Sequence, residues 1–142
     1  MSDYLFVVAE HVVDGALEKT RIEKEVREAL PRSVLPRTRN QLRVEVSNRD
    51  DGVYLQPFVG CSSGLVQYLK KKRQESMREI LRALTLVANR YSEKVSLLIY
   101  RDTGRRRPTI KEVVVDSIDR AFDALVVAGN TKYVISHSER SS

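Results

Sequence analysis

Residues 41–59, QLRVEVSNRDDGVYLQPFV, decide how this chain folds. Leu42, Val44 and Val46 alternate with Arg43, Glu45 and Ser47. That two-residue period belongs to a strand with one face buried and the other wet. Asn48 to Gly52 is polar and closes on Asp-Gly, a strong turn signal, so Val53 to Val59 is the returning strand of a hairpin. Pro57 has no amide hydrogen, which predicts a bulge at that position or unpaired residues at the strand's end.

Outward from the hairpin, the flanks supply the rest of a split βαβ pair. Residues 4–9, YLFVVA, are continuously apolar and read as a strand with neighbours on both sides. Asp14 is placed to cap a helix over 15–30, whose inward stripe is Ile22, Val26 and Ala29/Leu30. Pro31 stops it, because the residue before a proline avoids helical geometry, and 31–40 reads as a loop. Beyond the hairpin, the spacing of Val66, Leu69, Met77, Ile80/Leu81, Leu84, Val87/Ala88 and Tyr91 predicts a helix over 64–92. Residues 94–100 then form a strand.

The segment after residue 108 carries two competing signals. Val113-Val114-Val115 favours a strand, but Ile110, Val113, Val114, Ile118, Ala121, Phe122, Leu125 and Val126 follow a three-four rhythm. With Thr109 and Glu112 as a capping box and Gly129 as a stop, the rhythm predicts a helix over 109–128, packing overriding the poor helix propensity of the valines. A last strand covers Lys132 to Ser136.

The order β-α-β-β-α-β, then α-β, predicts an α+β fold with a ferredoxin-like split βαβ core and an added C-terminal helix and strand. Right-handed crossovers give the sheet order 4-1-3-2, the last strand extending the sheet beside strand four and the helices sharing one face. One domain is expected over 1–138, with a polar tail at 139–142. Of the 142 residues 42% are hydrophobic and 31% charged, enough for a core without staples and too apolar for disorder. The single cysteine, Cys61, cannot form an internal disulfide. No apolar run approaches a membrane span, and the N-terminus lacks the basic region of a secretory signal, so a cytoplasmic location is expected.

The net charge of +6 is concentrated. Arg32/Arg37/Arg39, Lys70-Lys71-Lys72-Arg73, and Arg101 with Arg105-Arg106-Arg107 hold 11 of the 25 basic residues. In the expected topology helix one ends, helix two begins and strand four ends at one pole, so these clusters converge. Clustered positive charge attracts polyanions, and basic residues near a helix N-terminus oppose the dipole unless an anion is nearby. The sequence therefore predicts a non-enzymatic nucleic-acid-binding protein, RNA ahead of DNA, gripping phosphates with weak base specificity.

The sheet face away from the helices is expected to carry Arg43, Tyr54 or Gln56, Phe58, Leu98 and Tyr100. Tyr54, Phe58 and Tyr100 are candidates for stacking on bases, although the same face suits burial in a homodimer. An assembly subunit that docks a protein partner, such as an acidic surface, is the main alternative. A metal-dependent nuclease built on Asp50, Asp51 and Glu45 is another, although Asp-Asp-Gly is also ordinary turn chemistry. His11 and His137 are too far apart in the expected fold to share a metal. Cys61 before a helix is a candidate for a lowered thiol pKa. The glycines form no phosphate loop, and neither cofactor nor metal is expected.

Overall fold

The apolar run at the start of the chain becomes a strand at the centre of the sheet. The computed structural model describes residues 2–12, 18–59, 74–102, 109–125 and 130–136. Strand β1 (Ser2–Glu10) lies antiparallel between β3 (Gly52–Val59) and β4 (Lys94–Asp102), with β2 (Leu42–Arg49) outside β3. Beyond β4 come β6 (Thr131–Ile135), antiparallel to it, and β5 (Lys111–Val115), parallel to β6 at the far edge. The sheet runs β2-β3-β1-β4-β6-β5, so its order differs from the five-strand expectation by the extra strand at that edge. Both side-chain rows of β1 are buried: Leu5, Val7 and Ala9 on one face, Phe6 and Val8 on the other. This is why the run lacks alternation.

Helices α1 (Lys19–Ala29), α3 (Gln74–Asn89) and α4 (Ile118–Leu125) cover the Leu5/Val7/Ala9 face. Ile22 and Val26 from α1, Leu81, Leu84 and Val87 from α3, and Ile118 and Phe122 from α4 meet the strands in one core. Each fully buried aliphatic side chain contributes about 1.5–3 kcal/mol. Among the described residues no helix is long and apolar enough to cross a membrane.

The hairpin closes more tightly than Asp-Gly suggests. Arg49 pairs with Gly52, so the loop is Asp50-Asp51 and Gly52 belongs to the strand. On the β2 side Pro57 causes no bulge and frees no end: it stays in register opposite Val44, and β3 remains paired with β2 through Val59. The register of β3 with β1 covers only Val53 to Leu55, so the two have parted before the residue without a donor. Residues 31–40 are not wholly a loop, because Pro36 opens a short helix, α2 (Pro36–Gln41), where its fixed φ suits the first helical position.

The largest departure follows residue 108. The helix expected over 109–128 is instead β5 followed by α4. Three consecutive β-branched residues take the extended conformation their side chains prefer. Val113 and Val115 pack on the core while Val114 is 70% exposed, which no helical stripe through Val113 and Val114 allows. Thr109 and Glu112 do not cap a helix. Ser117 does, its Oγ accepting the Arg120 N–H at 3.2 Å. Ile118, Ala121 and Phe122 face inward as their spacing predicts. Over so short a segment the two periods compete, and pairing with β6, which β-branched side chains suit, decided.

Candidate nucleic-acid interface

The registers fix which chain ends share a pole. Tyr4 lies opposite Tyr100, Leu42 opposite Val59, Ile99 opposite Thr131, and Thr131 opposite Lys111. The start of β1, the end of β3, the start of β2, the end of β4 and the starts of β5 and β6 therefore lie together. Residues 30–41, joining α1 to β2, belong to the same pole, and so does the start of α3, since β4 sets out from the opposite one.

Three stretches that join elements here contain no carboxylate. Between Glu28 and Glu45 lie Arg32, Arg37, Arg39 and Arg43; between Asp51 and Glu75 lie Lys70, Lys71, Lys72 and Arg73; between Asp102 and Glu112 lie Arg105, Arg106, Arg107 and Lys111. Lys70 to Arg73 and Arg105 to Arg107 lie outside the described residues. The backbone of Arg101 is in β4, opposite Asp3.

The described arginines of this pole differ in employment. Arg32 and Arg37 are exposed and make no ion pair with a described residue. Arg39 is turned inward: Nη1 donates to the carbonyls of Arg27 at 2.7 Å and Leu30 at 3.4 Å, and Nη2 to that of Pro31 at 2.9 Å. These carbonyls lie at and just beyond the end of α1, where helical hydrogen bonding runs out. Arg43 donates to the carbonyls of Asn40 and Leu42 at the sheet edge. The segment is thus fixed by Arg39 and Arg43 while Arg32 and Arg37 face solvent.

Elsewhere many acids and bases neutralise one another. Arg78 and Arg82 on α3 bind Asp119 on α4, with Asp123 and Glu79 as further partners. Lys94 bridges Glu10 and Glu112, Lys132 binds Glu10, Arg90 binds Glu25, Lys19 binds Glu45 and Arg120 binds Asp116. Exposed pairs add little stability individually. Their effect on the field is larger, because they leave the positive excess at the carboxylate-free stretches.

The sheet face away from the helices carries an aromatic cluster. Tyr4 stacks on Phe6 with ring centres 6.1 Å apart, Phe6 meets Tyr54 edge to face at 5.3 Å, and Tyr4 lies 6.4 Å from Tyr100 at 45°. The Arg49 guanidinium stands 4.2 Å from the Tyr54 ring centre and 5.2 Å from that of Phe6, a cation–π contact. Tyr54 is 6% exposed, and its hydroxyl donates to Asp51 at 2.7 Å. Of the stacking candidates, Tyr54 is therefore committed to the protein's own packing, whereas Phe58 and Tyr100 are half-buried. Sequence reasoning missed Tyr4 and Phe6 because YLFVVA reads as core throughout, and Arg49 because it reads as part of the turn. The period of two within that run places Tyr4 and Phe6 in one row.

The hairpin carboxylates do not converge. Asp51 accepts from Tyr54, and Glu45 is paired with Lys19 at 2.9 Å. Among the described residues no group of three or more His, Cys, Asp and Glu side chains is arranged to hold a metal ion. A cleft of about 310 Å³ beside the turn is lined by Glu10, His11, Arg49, Asp50 and Asp51, at the pole opposite the basic one. Cys61 and His137 lie outside the described residues. Comparison with protein-family models, with curated proteins and with solved structures gave no match.

Proposed function

We propose that this chain is a non-enzymatic nucleic-acid-binding protein, RNA ahead of DNA, that holds phosphates at its basic pole. One observation carries the reading: three carboxylate-free, basic stretches attach to the sheet at the same pole. Arg32 and Arg37 are the described members with guanidinium groups free for phosphate, and Lys70 to Arg73, Arg101 and Arg105 to Arg107 complete the proposed set. Arg39 acts through the fold, holding the segment that presents Arg37. A ferredoxin-like split βαβ core underlies the arrangement; the antiparallel block β2-β3-β1-β4 supports that reading.

Fluorescence-anisotropy titration of labelled RNA and DNA at about 50 and 200 mM salt tests it, since several phosphate contacts cost orders of magnitude in affinity over that range. Arg32→Gln/Arg37→Gln and a Lys70–Arg73 to Gln variant should each weaken binding and flatten the salt slope. Absence of binding at the lower salt would end the proposal.

A second reading, an assembly subunit, rests on β5. It is an edge strand with Val114 70% exposed, a place where another chain's strand can add. It predicts a stable complex that Val114→Lys disrupts and that salt leaves intact.

A further inference from the structure

We infer that Tyr4 and Tyr100 form a platform on which unpaired bases stack, so that the polyanion taken by this protein is a single strand. The inference rests on the nucleic-acid reading of the basic pole and adds the form of the ligand.

Tyr4 and Tyr100 are cross-strand partners at the start of β1 and the end of β4, where the carboxylate-free stretches attach. Both are half-buried, whereas Phe6 and Tyr54 beside them are each 6% exposed. Phe6 backs Tyr4 in a stack inclined by only 20°, and Tyr54 backs Phe6 in turn. The outer rings are thus held by inner ones, so seating a base against them freezes little side-chain freedom. A duplex keeps its base faces inside its own stack and offers such rings nothing; an unpaired base offers a π-face of any identity.

Charge selects the occupant. On the same sheet face, Glu10 lies opposite Lys94 at the far ends of β1 and β4, and both are bound in ion pairs with Lys132 and Glu112. Those carboxylates stand away from the tyrosines. At the tyrosines' pole the described residues Arg32, Arg37 and Lys111 are exposed and positive. A second copy of the chain would bring an identical positive pole to this face, whereas a polyanion is attracted to it. A backbone running across the pole with bases turned onto the sheet satisfies the basic stretches and the rings together.

The test pairs Tyr4→Leu/Tyr100→Leu with Tyr4→Phe/Tyr100→Phe, using a uridine oligonucleotide of about ten residues and a hairpin duplex of matched charge. The Leu variant should bind the single strand roughly 10- to 100-fold more weakly, the loss typical of one or two stacked bases. Its salt slope should match the wild type, because the rings neutralise no phosphate. The Phe variant should bind like the wild type. With no tryptophan in the chain, intrinsic emission comes from tyrosine, and the wild type should be quenched by the oligonucleotide. The Phe variant should bind equally but lose that quenching, which assigns the signal to Tyr4 and Tyr100 among the six tyrosines and decides the matter even if the Leu variant loses its fold.

Salt-steep single-strand binding without quenching, or unchanged in the Leu variant, would overturn the platform and leave the basic pole standing. Equal affinity for the hairpin duplex would do the same. A wild type that binds neither probe would remove both. A dimer whose tyrosine emission changes on dilution, with no response to oligonucleotide, would assign the face to a second copy and overturn the inference.

Discussion

The guanidinium of Arg39 sits on the end of α1, with Nη1 2.7 Å from the carbonyl oxygen of Arg27, twelve residues earlier in the chain. Arg37, two residues away, points to solvent. Neighbours of the same type in one basic cluster therefore do different things. Arg39→Ala should cost about 1–3 kcal/mol, because it strips charged hydrogen bonds from part-buried carbonyls at the end of α1. Arg37→Ala should stay within about 0.5 kcal/mol. Urea denaturation of both variants measures this. Equal destabilisation would show that Arg39 holds nothing.

Asp119 ties α4 to α3. The Arg82 guanidinium bonded to it holds its carboxyl below the usual 3.8, with Arg78 adding to the effect and partial burial opposing it. A lowered folded-state pKa stabilises above the ordinary carboxylate range, and the contribution is lost as pH falls through the lowered value. The carboxylate is 42% exposed, so solvent screening limits the effect. Asp119→Asn should lower stability by no more than about 1 kcal/mol at neutral pH. Melting curves of wild type and variant should merge as acid protonates Asp119; a gap that persists in acid would mean the carboxylate's charge is not the cause.

Tyr54 is protected from ionisation. Burial, then its hydrogen bond to Asp51, pushes the phenol from 10.0 up to about 12. A raised folded-state pKa gives stability that is complete below the unfolded value and lost as pH rises through the folded one. Stability should therefore fall between about pH 10 and 12, and Tyr54→Phe should remove that part of the fall. At neutral pH the variant should cost about 0.5–1.5 kcal/mol, the usual worth of a hydrogen bond. Tyrosinate absorbance during alkaline titration should show one late-ionising tyrosine fewer in the variant, Tyr91 remaining because its hydrogen bond to Glu25 also raises its phenol.

Gly52 cannot carry a side chain where it stands. Its φ is 149°, and a Cβ there would lie 2.9 Å from the carbonyl oxygen of Ala9 in β1. Gly52→Ala should destabilise the fold by about 1–3 kcal/mol through backbone strain and displacement of the hairpin from β1. A thermal melt equal to the wild type would refute this.

Most elements were legible because their signals are local. The alternation at 42–47, the stripe Ile22/Val26/Leu30 and the proline at 31 each need only a few neighbouring residues to act. The neighbour relations that follow from chain order were legible too: β3 and β4 flank β1, and β6 extends the sheet beyond β4. The failure at 109–128 is equally local. Val113, Val114 and Ile118 fit a three-four rhythm while Val113 and Val115 fit a period of two, and the pairing of β5 with β6 settles which applies.

The candidate site was legible in charge and obscure in geometry. That basic residues cluster at the joints between elements is a property of the chain. Which of them are free is not, because Arg39 and Arg43 find backbone carbonyls that only the folded turn around 30–42 presents. Tyr54 illustrates the same limit. Its row on the sheet followed from alternation, but its burial comes from Phe6, Arg49 and Asp51 meeting around it.

By itself, then, the sequence determined the α+β class, most element positions and the concentration of positive charge, since periodicity and composition act over a few residues. Only the tertiary structure decided that Val113 to Val115 are a strand, that Arg39 is structural while Arg37 is free, and that Tyr4 meets Tyr100. Each of those outcomes depends on groups far apart in the chain, brought within bonding or packing distance by the antiparallel registers of the sheet.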